Sequence, residues 1–357
     1  MRFFSDKDRP VHMGPYPLER LSRQDQAEPG DVPPFQPLDF QRPETPDSIV
    51  NAMGEYQAML DAIRDGLVNK VKSKIPDDVQ ERANHLKGFG YFNDASMVAI
   101  CRIDEKSRLS TPHRNPDIDR LAEGLRTKQT TTLAAGIDLI MADLRESMEA
   151  PPSTMDHHTH AIVYLYEYPR DPEDGEVGCD WIGDAQAARA SLRANETAVV
   201  IANYVRLLGR DARAHSGTTS EIDLNALTVA SGLASVEDGV LVNPYLGDRF
   251  GVAVVTTDLE LATDRPLVPL EQQPRSHTHG MAWKMGKGFA KNAFNREPFS
   301  KRRFVDGAHP FEKLKRVDDP TTYIDEPRVA RVPKRTDMFA RAQFGDMGKA
   351  NQEKATG

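Results

Sequence analysis

NYVRLLGRDARAHSG (residues 203–217), LNALTVASGLAS (224–235) and NPYLGDRFGVAVVTTDLELATDRPL (243–267) together decide the fold. The first segment closes a helix. From Asp184 onward Leu192, Val199, Ala202, Val205 and Leu208 recur on one face, and Gly209 supplies the stop. A short strand is expected over Asp211–His215, then a helix over Leu224–Leu233 and a glycine-marked turn. GVAVVTTDL, Gly251 to Leu259, is rich in β-branched residues and reads as a strand.

Working outward, AIVYLYEY (Ala161–Tyr168) is the strongest strand in the chain, and SMVAICRI (Ser96–Ile103) is a second buried one. Thr45-Pro46 reads as an N-cap followed by proline at the first helical position. Ile49, Met53, Tyr56, Leu60 and Ile63 then recur at helical spacing. A short helix over Asp77–Leu86 should stop at Gly88, residues 104–117 read as loop, and a long helical stretch follows from Ile118 to Met148. Residues 169–183 read as an acidic loop. Strands and helices alternate without strict βαβ units, so the expected class is α+β, or mixed α/β, with one central sheet flanked by helices.

Four regions are expected: a proline-rich extended arm (1–46), an α/β module (47–270), a basic linker (271–306) and the start of a second module (307–357). The last rests on a repeat, since GPYPLERLSR (Gly14–Arg23) is echoed by GAHPFEKLKR (Gly307–Arg316). The linker's Lys284 and Lys287 beside Trp283 read as a solvated face.

The chain of 357 residues has a formal charge of −8, which argues against a nucleic-acid partner. No apolar run is long enough to span a membrane, and the start lacks an export signal, so a cytoplasmic protein is expected. There are two cysteines, Cys101 and Cys179. A ferredoxin-type cluster takes four thiolates, so this chain cannot hold one on its own cysteines. Histidines gather at His157, His158 and His160, and at His277 and His279. Strand alternation would send His157 to the opposite face from His158 and His160, and no carboxylate lies at a motif spacing, so no metal site is assigned. Asp211, Asp223 and Asp258 sit at element edges and read as caps rather than acid–base groups.

The stretch from Asn203 to Leu267, with HLKGFGYFNDASMVAICRI (His85–Ile103), resembles the corrinoid-binding core of reductive dehalogenases and of their epoxyqueuosine reductase relatives. HPFEKLKRVDDPTTYIDEPRVARVPKRTDMFARAQFGDMG (His309–Gly348) resembles the opening of a catalytic module in the fused, cytoplasmic class of these enzymes. The resemblance implies a nitroreductase-like fold, a corrinoid (cobalamin) whose cobalt meets the halogen of an organohalide, and two cysteine-ligated [4Fe–4S] clusters. It also implies an N-terminal copy that binds no cofactor, packed on a C-terminal copy that does. By the same resemblance His215, Ser216, Gly217, Tyr245, Gly247 and Arg249 would line a vestigial corrinoid cavity. Read as plain residues, Gly247 would serve a turn and Arg249 would pair with Asp248 or another acid.

This sequence departs from the family where the chemistry lies. The cysteines expected after the Asp258-Leu259 strand end are replaced by LVPLEQQPRSHTHGMAWKMGKGFAKNAFNREPF, and Phe92–Ser96 stands where the family carries FLGAD. No catalytic residue is carried over. The expected function is therefore a non-catalytic scaffold half of a reductive dehalogenase, which removes halogen reductively from an organohalide. Its partner would be the catalytic second copy, or another copy of itself. The alternatives are a corrinoid- or flavin-binding oxidoreductase with an external electron donor, and a metal- or small-molecule-binding protein acting through the histidine clusters.

Overall fold

A computed structural model describes residues 9–25, 32–127 and 153–273. All lie in the first of two compact units, Met1–Pro274. Expectations for the linker, the second repeat copy, His277, His279, Trp283, Lys284, Lys287 and the far half of the 118–148 helix fall outside the described residues.

The helices are α1 (Ile49–Ala62), α2 (Val79–Phe92), α3 (Asp117–Thr127), α4 (Cys179–Ile182), α5 (Gln186–Leu207) and α6 (Leu224–Ala230). The strands are β1 (Met97–Arg102), β2 (Arg108–His113), β3 (His160–Glu167), β4 (Ala212–His215), β5 (Ser220–Ile222), β6 (Ser235–Glu237), β7 (Val240–Val242) and β8 (Phe250–Thr257). The central sheet has the order β1-β3-β8-β4, with every neighbouring pair antiparallel. β2 pairs with β5, and β6 with β7.

The register divides the side chains cleanly between two faces. Val98 and Ile100, Ile162 and Tyr164, Ala253 and Val255, and Ala212 and Ala214 join the cluster under α2 and α5. Met97, Ala99 and Cys101, Ala161, Val163 and Leu165, and Val254 join the other, with Leu224 and Leu227 of α6 and Tyr16 from the N-terminal segment. β3 and β8 are buried on both faces, which explains why they read as near-continuous apolar runs.

α5 lies close to the sheet because it presents Ala190, Ala194, Ala198 and Ala202 to it. Gly251 completes the approach, since a Cβ there would stand 2.6 Å from the carbonyl carbon of Ala190 and the nitrogen of Ser191. Gly209 closes the helix at φ 80°, as the sequence predicts.

Several expectations are corrected. α1 begins at Ile49, capped by the Ser48 hydroxyl, and Thr45-Pro46 lies in the preceding turn. Its inward face is Val50, Gly54, Gln57, Ala58 and Asp61, whereas Tyr56 is 63% exposed. The apolar spacing misled because this helix packs beside buried polar groups. α2 runs through Gly88 and Gly90 to Phe92. Gly90 is a packing position, because a Cβ would sit 2.8 Å from both Tyr164 and Val98. The loop expected over 104–117 contains β2 and the start of α3, and α4 interrupts the acidic 169–183 segment. The β6–β7 hairpin, turning at Asp238 (φ 51°) and Gly239 (φ 78°), was not anticipated.

Candidate functional site

At its β4 edge the second face of the sheet turns polar. Alternation along β4 sends Ala212 and Ala214 to the helices and Arg213 and His215 the other way, toward Thr256 of β8. β5 brings Glu221 over them, and the segment after α1 brings Arg64 and Asp65. Arg213 and His215 are almost fully buried, so each charge and hydrogen requires a partner.

Glu221 is the hub. Both its oxygens bind the Arg64 guanidinium, one at 2.7 Å and the other in a closer contact. Arg213 lies 3.3 Å from Oε1, and its other nitrogen donates to Asp65 at 2.7 Å and to Ser153. His215 Nδ1 is 3.1 Å from Glu221 Oε2. Burial alone would push the Glu221 carboxyl up, but hydrogen bonds from Arg64 and His215 outweigh it and hold the carboxyl far below the usual carboxylate range.

Burial pulls His215 down to about 4, and the Arg64 and Arg213 charges add to this, overcoming the pull of Glu221. The His215–Glu221 contact is therefore a neutral imidazole N–H donating to a carboxylate, not an ion pair, although the distance alone would permit either.

On its other side His215 Nε2 is 2.8 Å from Thr256 Oγ1, which is also 2.8 Å from His158 Nδ1. His158 Nε2 faces Asp211 Oδ2 at 3.3 Å, and His157 Nε2 reaches the same oxygen at 2.6 Å. The contacts with His158 and then His157 lower the Asp211 carboxyl to about 2, against the effect of burial. A continuous polar path thus runs from Arg64 at one side of the sheet to His157 at the surface.

Next to it lies a second buried acidic side chain, Asp61, 2% exposed. Ser216 Oγ (2.7 Å), Asn195 Nδ2 (2.9 Å) and Gln57 Nε2 (3.1 Å) donate to one oxygen. Asn115 Nδ2 (2.9 Å) and the Thr218 hydroxyl donate to the other.

The six residues expected at a vestigial corrinoid cavity fall into two groups. His215 and Ser216 are buried and committed to the two networks. Gly217 is covered by the arm. Its carbonyl accepts the Leu38 N–H at 2.8 Å, and a Cβ on it would stand 2.7 Å from Leu38 Cδ1. Asn225 to Pro33 and the Phe35 N–H to Asp223 fasten the same arm to α6.

Tyr245, in the second group, stacks on Tyr16 at 5.5 Å and donates to the Pro17 carbonyl. Gly247 takes φ 72° in a turn closed against Asn243, as a plain turn residue would. Arg249 is exposed. One cleft, of about 570 Å³, is lined in part by Arg9, Arg189, Arg193 and Tyr166, and another by Phe40, Gln41 and Asp117 among others; none of the six residues lines either.

These residues do not fit a corrinoid, because protein already fills the His215–Gly217 corner. The strand end where cluster cysteines were expected is likewise occupied. Leu259 and Leu261 enter the core, while Asp264 accepts from Ile100 N–H at 2.8 Å and Lys87 at 2.7 Å, covering the β1 edge. Cys101 is buried, with its thiol pushed well up by burial, and Cys179 is a second free thiol.

Of the three aspartates read as caps, Asp223 caps α6 through Ala226 N–H at 2.9 Å, and Asp258 accepts from Asp211 N–H at 2.8 Å. Asp211 instead joins the histidine pair. His157 and His158 precede β3 in a turn, so strand alternation does not separate them. Arg64, Glu221 and Thr256 were missed, since nothing in their spacing announces that three segments converge on them.

No protein-family model matches the chain, and no curated protein does. Among solved structures the chain is similar to the catabolic reductive dehalogenase NpRdhA, with 35% identity over 77% of this chain and 33% of that one (TM-score 0.56). The complex of that enzyme with 3-bromo-4-hydroxybenzoic acid aligns over 90% of this chain and 39% of that one, at 34% identity and TM-score 0.61. A reductive dehalogenase structure described as suggesting a mechanism for B12-dependent dehalogenation is 36% identical over 77% of this chain, again covering 33% of that chain. The chain thus spans between a third and two fifths of the length of these relatives.

Proposed function

We propose that this chain is a structural module of a reductive dehalogenase, a protein that removes halogen reductively from an organohalide, and that the cobalamin chemistry belongs to a separate module packed on it. The observation that carries this reading is 34–36% identity to reductive dehalogenase structures over most of the chain. The scaffold role is supported by the filled corner at Gly217 and by the two isolated cysteines. A surface for the catalytic module is available on α1 and the segment after it, where Tyr56, Leu67 (98% exposed) and Val71 (72%) face outward. Among the described residues no helix is long and apolar enough to cross a membrane. Two free thiols suit a reducing, cytoplasmic setting.

The test is halide release from a brominated phenol by the whole protein that carries this segment, loaded with cobalamin and clusters and driven by a low-potential reductant. Halide release by the whole protein, and none by residues 1–274 loaded in the same way, supports the proposal. Failure of the whole protein to release halide, or release by residues 1–274 alone, refutes it.

A further inference from the structure

The turn before β3 and the start of β4 bring two imidazoles and a carboxylate together, although the residues lie far apart in sequence. His157 Nε2, His158 Nε2 and an Asp211 oxygen lie within 4.8 Å of one another. Two of the three pairs are already close, at 2.6 Å and 3.3 Å. Ligands bound tetrahedrally to a zinc-sized ion at about 2.0–2.1 Å stand about 3.3 Å apart. The His158–Asp211 pair matches this separation. His157, with half its side chain exposed, would move outward from its 2.6 Å contact with Asp211 to reach the same separation.

A second observation points to a ligand. His158 has 1% of its side chain exposed, and its Nε2 is buried without a hydrogen bond. The network assigns its tautomer. Neutral His215 donates from Nδ1 to Glu221, so its Nε2 accepts the Thr256 hydroxyl hydrogen. The Thr256 oxygen is then left to accept from His158 Nδ1–H. This turns His158 Nε2 toward the Asp211 carboxylate oxygen, 3.3 Å away. Such a pair repels unless a proton or a cation stands between them. The relay through Thr256, His215 and Glu221 is the support that metal-bound histidines receive through their second nitrogen.

We propose that His157, His158 and Asp211 form a binding site for a divalent transition-metal ion of the zinc class, with the fourth position open to solvent beside His157. Two imidazoles and one carboxylate suit zinc, cobalt or nickel better than calcium or magnesium. The ion would tie the start of β3 to the start of β4 across the end of β8, and it is independent of any corrinoid or cluster.

The test uses the full chain, purified without a histidine tag, stripped with a chelator and titrated with zinc against a chromophoric competitor. One zinc per chain is expected, unchanged in the His277→Ala/His279→Ala variant and weakened at least tenfold in His157→Ala and Asp211→Asn. Because His157 is half exposed, His157→Ala should melt like the metal-free parent. Thr256→Val should also weaken zinc about tenfold or more, by releasing the His158 tautomer. Cobalt in place of zinc should give visible bands of low coordination number that His157→Ala abolishes. Absence of bound zinc in the parent chain, or affinity unchanged in His157→Ala and Asp211→Asn, overturns the proposal. Loss of zinc only in His277→Ala/His279→Ala also overturns it.

Discussion

His215 makes stability fall as the solution is acidified. Its imidazole is fully buried and held at about 4, against 6.5 for an unperturbed histidine. The folded state therefore resists a proton that the unfolded chain accepts. For this depressed base the stabilisation is complete above about pH 6.5 and is lost progressively down to about pH 4. Each pH unit is equivalent to about 1.4 kcal/mol, so the full window holds roughly 3 kcal/mol, of which about 2 kcal/mol is lost by about pH 5. Glu221 and Asp211, both held below ordinary carboxylates, add losses of the same sign only at lower pH. Urea unfolding of the parent and of His215→Gln, with chelator present and pH stepped from about 7.5 to about 5, isolates the histidine. The parent should lose about 2 kcal/mol more than the variant over that range. Parallel pH profiles would mean that His215 titrates normally in the native state, and the buried relay would be wrong.

Other perturbations follow from the same contacts. Gly251→Ala should cost roughly 1–3 kcal/mol, read as a lower melting temperature, because the new methyl group meets the α5 backbone rather than a movable side chain. Arg64→Met should cost roughly 3 kcal/mol in denaturant titration, since Glu221 would remain buried without its main cation. Asp61→Asn should cost about 2 kcal/mol, because an amide presents hydrogens to donors that now meet a carboxylate.

Much of the fold was legible in the sequence. β3 and β8 announce themselves because both faces are buried and their residues are β-branched or aromatic. α5 was bounded by Gly209. The polar inward face of α1 was not legible, because Gln57 and Asp61 are buried by partners on α5 and on the loops that end β4 and β2. β2 and β5 are short, and β5 carries Glu221, a residue that pays its way only through Arg64 and His215. The site divided similarly. His215 and Ser216 were singled out by position, but their commitment to Glu221 and Asp61 depends on non-local packing. His157 and His158 were noticed as a cluster, and Asp211 was noticed as a cap. Their meeting depends on β8 lying between β3 and β4, which spacing along the chain does not encode.

The central claim is that the His215–Gly217 corner, expected by resemblance to line a corrinoid cavity, is filled by the chain's own arm. Anaerobic reconstitution of the chain with cobalamin, followed by gel filtration and counting of corrinoid per chain from its visible absorbance, tests it most directly. The account predicts no corrinoid co-eluting with the chain, both for the parent and for Ser216→Ala. About one corrinoid retained per chain would contradict it.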